Sequence, residues 1–134
     1  MTPETILQDE YATLLYHPDT KIVHHQFHKF VHDETFRAPL IKGMELMKKH
    51  GAAKWLSDDR GNAALGAADT EWAQTVWFPG VKAAGWKHWA VVMPEKVVGQ
   101  LNMKQWVTQY QALGINSQVF SDPAAAMTWL VAQK

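Results

Sequence analysis

The sequence has no cysteine. Disulfides, thiolate metal ligands and a cysteine nucleophile are excluded together. Neither charge is in surplus: 13 Lys and Arg stand against 13 Asp and Glu. A balanced chain lacks the field that draws nucleic acid or an anionic membrane surface, so neither is expected as a partner. Zero net charge also weakens self-repulsion and favours self-association. No apolar run approaches the roughly 18 residues of a membrane-spanning helix. The opening Met1-Thr2-Pro3-Glu4 shows no basic stretch followed by an apolar one. No signal peptide is expected on that ground, and the cytoplasm is the default location. Gly-rich phosphate loops of the Walker or dinucleotide type are missing, and Ser57 lacks a Gly-x-Ser-x-Gly elbow. No catalytic residue, cofactor or metal is assigned by motif.

What is present describes one α/β domain over residues 1–134. The composition is 47% hydrophobic and includes seven Trp, enough for a core without staples. Residues 10–16 and 21–28 read as strands around the turn His17-Pro18-Asp19-Thr20. Alternation puts Val23, His25 and Phe27 on the core face of the second strand, and Ile22, His24, Gln26 and His28 on the other. A helix is expected from about Asp33 or Thr35 to His50, with Phe36, Leu40, Met44 and Met47 inward and Gly51 as its left-handed stop. Pro39 suits that helix best if Thr35 caps it.

Residues 52–57 form the next strand, and a helix starts at Asp69 with Trp72, Val76 and Trp77 on its apolar stripe. Pro79-Gly80 is expected to interrupt it. Residues 87–93 and 115–120 are strands. Residues 97–113 are a helix with Met103, Trp106, Val107, Tyr110 and Leu113 on one side. Ser121-Asp122-Pro123 announces the last helix, over 124–132. The expected order is β-β-α-β-α-β-α-β-α, a mixed sheet with helices packed on it.

This element order resembles that of STAS domains, the fold of bacterial anti-sigma-factor antagonists. The residues carrying the likeness are 36–46 (Phe-Arg-Ala-Pro-Leu-Ile-Lys-Gly-Met-Glu-Leu), Trp55-Leu56-Ser57-Asp58-Asp59-Arg60, Glu71-Trp72 and Gly85-Trp86. They look like the SpoIIAA-like branch, which also resembles the CRAL-TRIO lipid-binding fold. The resemblance implies a regulatory or binding module without catalysis. Its phosphorylated Asp-Ser-x-Gly-like motif is missing here; the positional counterpart is Asp69-Thr70-Glu71, with Thr70 flanked by two carboxylates.

Ligands of open α/β sheets bind beyond the carboxyl ends of the strands. Ser57, Asp58, Asp59 and Arg60 lie at such an end, and Asp69-Thr70 opens a helix pointing the same way. This edge is expected to hold a polar or cationic ligand, or a protein partner. The competing expectation is that Asp58 and Arg60 pair to fix a sharp loop. The aromatic segment Trp72, Trp77, Phe78, Trp86 and Trp89 is expected to line a pocket for a small apolar ligand or to form a homodimer interface. Five of the seven His fall within residues 17–32, where His17 and His25 are placed to meet across the hairpin. A polar strand face with one packed His accounts for them better than a metal does.

The leading expectation is a non-catalytic module that binds a protein partner or a small apolar ligand, as a homodimer. The alternatives are a small enzyme using Asp58, Asp59 and Arg60 as acid, base and clamp, and a structural homodimer without ligand.

Overall fold

The computed structural model describes residues 2–62 and 64–134. Among them, six strands stand in chain order in one sheet: β1 (Glu4–Gln8), β2 (Ala12–His17), β3 (Ile22–Phe27), β4 (Lys54–Asp58), β5 (His88–Val92) and β6 (Asn116–Phe120). The first three pair antiparallel, and β3 to β6 pair parallel. The class is α/β with a mixed sheet, and the order opens β-β-β.

Strand β1 is an addition to the expected order. Its residues are almost all exposed and it pairs on one side only, so no apolar alternation marks it. The expected start of the next strand at Glu10 moves to Ala12. The Asp9 carboxylate accepts from the backbone N–H groups of Tyr11 (2.8 Å) and Ala12 (2.9 Å) and turns the chain before β2 begins.

Helix α1 (Glu34–His50) joins β3 to β4. It starts at Glu34 after Asp33, so Pro39 lies inside it and Thr35 is not its cap. Gly51 ends it at φ 65° and donates to the Met47 carbonyl. Gly43 faces the sheet, where a Cβ would collide with the Trp55 ring; only glycine lets the helix sit that close.

The connection from β4 to β5 is a helical run of α2 (Ala67–Trp72), a π-helical turn (Ala73–Trp77) and α3 (Phe78–Ala83). Pro79-Gly80 does not break it. Proline has no N–H to donate and its ring excludes the carbonyl four residues earlier. The π turn absorbs both constraints, with the Phe78 N–H donating to the Ala73 carbonyl. The wider turn also shifts the helix phase. Val76, expected inside, is 59% exposed, while Ala73 and Trp77 are buried.

Helix α4 (Val97–Ala112) joins β5 to β6. Trp106, Val107 and Tyr110 are buried as expected, whereas Leu113 lies past the helix and is exposed. Crossovers between successive parallel strands share one hand. Accordingly α1, the α2–α3 run and α4 cover one face, over a core that includes Trp55, Trp77, Trp86 and Trp89. Helix α5 (Pro123–Ala132) packs on the opposite face against Ile22, Leu56, Ala90 and Val92. Its cap is Asp122, which accepts from Ala124 and Ala125 N–H.

Candidate functional site

The parallel strands place inward side chains in layers. Val23, Trp55 and Trp89 share one level; His25, Ser57 and Val91 share the next, toward the carboxyl ends. Each indole in the lower layer donates upward and across to the neighbouring strand. Trp55 Nε1 donates to His25 Nδ1 at 2.9 Å, and Trp89 Nε1 to Ser57 Oγ at 2.8 Å. An apolar tryptophan layer thus carries a buried polar layer.

An indole nitrogen only donates. His25 Nδ1 faces a donor and carries no proton, so the ring proton sits on Nε2. That nitrogen is 3.0 Å from Asp59 Oδ1 and donates to it. The result is a chain Trp55 → His25 → Asp59 in which every ring atom is oriented. His25, Ser57 and Asp59 are each 2–3% exposed.

Above this layer lies a cavity of ≈ 40 Å³. His25, Ser57, Asp59 and Asn62 form its polar side. Trp77, Trp89, Trp106 and Tyr110 form most of the aromatic wall, completed by Phe27 and Phe36. Half-buried Leu65 and Met103 stand at its edge. Asparagine 102 holds that edge by accepting the Leu65 N–H at 3.3 Å. Gly61 is required here, because a Cβ would strike the carbonyls of Phe27 and His28.

The Tyr110 hydroxyl is buried in this wall and has no hydrogen-bond partner among the described residues. Burial pushes its pKa well above that of an ordinary phenol, so it remains a donor throughout the physiological range.

The expected carboxyl-end site divides in two. Adjacent residues on a strand face opposite sides. Ser57 and Asp59 enter the cavity, while Asp58 belongs to the other face, where Arg60 grips it through Nε (2.9 Å) and Nη2 (2.8 Å). That bond is also the main cause raising the Arg60 pKa. An enzyme joining Asp58, Asp59 and Arg60 in one constellation does not fit this split.

Asp69 and Thr70 do not join the cavity either. Buried Asp69 accepts from Arg37 Nε (3.1 Å) and from the Asp33 backbone N–H (3.0 Å to Oδ2). It thereby holds Asp33 at the left-handed φ of 49°. Thr70 Oγ1 donates to the Gly66 carbonyl at 2.9 Å.

Among the aromatic candidates, Trp77 and Trp89 line the cavity, and Phe78 and Trp86 are buried beside it. Phe78 stacks on Tyr110 at 4.3 Å. Burial within one chain leaves these four no surface for a dimer interface. Trp72 is half-buried against Phe36, with the Arg37 guanidinium over its ring.

His17 meets His24, not His25: the rings stack with Nε2 and Nδ1 3.1 Å apart, on the face opposite the cavity. Burial first, then His17 and His25, lower the His24 pKa to about 4 against the pull of Asp58. Among the described residues, no three His, Asp or Glu side chains converge to hold a metal ion. No helix among them is long and apolar enough to cross a membrane.

Scans against protein-family models, curated proteins and solved structures find no match for this chain.

Proposed function

We propose that this chain is a STAS-like, SpoIIAA-like binding module whose ligand enters the cavity between the polar layer and α4. The four successive β-α units from β3 to α5 support the family reading. So do the positions of the residues that carry the likeness. Ser57 and Asp59 reach the cavity, and Trp55 and Trp86 lie in the core beneath it.

One observation carries the ligand reading: the unpartnered Tyr110 hydroxyl in the cavity wall. Buried polar groups in folded proteins are nearly always paired. Leaving one unpaired costs about 1–3 kcal/mol. A ligand that accepts a hydrogen bond from Tyr110, or donates one to it, removes that cost. The mostly aromatic wall suits a small ligand with an apolar body. Its size also limits the ligand: a water occupies about 10–15 Å³ by the same measure, so the cavity admits only about three or four heavy atoms as it stands.

Native mass spectrometry of gently purified protein tests the reading. The expected spectrum shows a small adduct that is released on denaturation and diminished in Tyr110→Phe. An adduct-free spectrum, together with no change in melting temperature across small alcohols, amides and amines, overturns it.

A further inference from the structure

Resting on that reading of the cavity, we infer that the ligand is a small organic cation, an alkylated ammonium group seated against the aromatic wall and neutralised by Asp59.

Charge accounting leads there. The Asp59 side chain is 3% exposed, and its one side-chain hydrogen bond among the described residues comes from His25. Because Trp55 donates to Nδ1, His25 makes that bond as an uncharged ring. No Lys or Arg is among the described residues lining the cavity. The two guanidiniums at this end of the sheet are committed elsewhere, Arg60 to Asp58 and Arg37 to Asp69. Asp59 therefore places a carboxylate in a largely apolar cavity without a cation to balance it. Buried charge is costly unless it is paired, and a cationic ligand supplies the pair.

The walls select the same charge. Trp77, Trp89, Trp106 and Tyr110 line the space. The face of an aromatic ring carries negative potential and attracts a cation, most strongly when water is excluded; alkylated ammonium groups are bound in such cages. An anion is disfavoured by ring faces and carboxylate together. A neutral hydrocarbon fills the volume but leaves Asp59 and Tyr110 unanswered. The hydroxyl oxygen of Tyr110 and the free acceptor capacity of Asp59 both suit N–H donors. At ≈ 40 Å³, the cavity matches a head group of three or four heavy atoms.

Three probes of equal size separate the possibilities: isopropylammonium, isopropanol and acetate. Each is titrated at fixed pH and ionic strength while the indole N–H resonances of Trp55 and Trp89 are followed by NMR. The expected result is saturable movement of both resonances with isopropylammonium, roughly tenfold weaker binding of isopropanol, and none of acetate. Asp59→Asn should remove the cation's advantage over isopropanol. If isopropanol binds as tightly as isopropylammonium, the cavity binds ligands but the inferred charge is wrong. If none of the three moves the indole resonances, the cavity reading fails as well. The comparison in the unaltered chain decides the matter even where the variant does not fold.

Discussion

Trp55 on β4 and His25 on β3 are joined by a 2.9 Å hydrogen bond from the indole N–H to Nδ1, and that bond determines which way the imidazole points its remaining proton. The donor that Asp59 meets follows from it. Asp59 receives the Nε2 proton, and the ring itself brings no charge. Trp55→Phe keeps an aromatic ring but removes the donor. Stability should fall by about 2–3 kcal/mol from the unpaired buried nitrogen and lost volume, as read by urea denaturation. Nitrogen-15 shifts of His25 should report mixed tautomers in place of one. A single unchanged tautomer in the variant would show that Trp55 does not set it.

Gly43 provides the steric test of the same layer. Gly43→Ala puts a methyl group into the Trp55 ring, and overpacking of this kind costs typically about 1–3 kcal/mol. Gly66→Ala is the control, since nothing lies within 4 Å of its added Cβ and its φ is −70°. Urea denaturation should separate the two, with Gly66→Ala within about 0.5 kcal/mol of the parent. Equal stabilities for both variants would contradict the close seating of α1 on Trp55.

On the opposite face, Arg60 neutralises a carboxylate that is 4% exposed. Arg60→Met strands Asp58. Breaking a fully buried pair costs about 3–5 kcal/mol, so this half-exposed arginine should account for about 2 kcal/mol. Adding Asp58→Asn should recover most of the loss, because the stranded charge goes with it. A double-mutant cycle by denaturation checks this; additive losses would mean that the two side chains are not coupled.

The histidine pair makes stability depend on pH with a definite sign. His24 has a folded-state pKa of about 4 against 6.5 for an ordinary histidine. Between those values the unfolded chain binds more protons than the folded one, so stability is full above pH 6.5 and is lost as pH falls toward 4. His17, lowered chiefly by burial, acts in the same direction. From His24 alone the loss should be on the order of 2–3 kcal/mol. His24→Gln should flatten the profile between pH 6.5 and 4 by that amount. A variant with the parent's slope would assign the acid sensitivity to the carboxylates.

From β2 onward most elements are legible in the chain itself, because several boundaries carry their own chemistry: Gly51 after α1, Gly114 after α4, Asp122-Pro123 before α5. An edge strand exposed on nearly its whole length gives no such signal, and β1 leaves no mark in the chain for that reason. Pro79 misleads in the other direction. It reads as a break, yet a π turn lets the helix continue past it and turns Val76 outward. Ser57 and Asp59 lie at a strand carboxyl end, where ligands of open sheets gather, and both line the cavity. The expected strand stops at Ser57 and leaves Asp58 and Asp59 together in a loop; their separation shows only because β4 runs on to Asp58. His25 was legible as a core-facing residue. Its bonds to Trp55 and Asp59 join positions 30 and 34 residues away, and only the strand register reveals them. Helical spacing puts Tyr110 on the inner side of α4. That its hydroxyl lacks a partner depends on the whole surrounding wall.

Tyr110→Phe tests the central claim most directly, through stability and binding measured on one variant. In a cavity built for a ligand, the hydroxyl is a cost to the empty protein. Its removal should raise unfolding stability by about 1 kcal/mol while weakening the binding of isopropylammonium severalfold. A variant that is less stable than the parent, and that binds the cation equally well, would show that Tyr110 serves the fold and not a ligand.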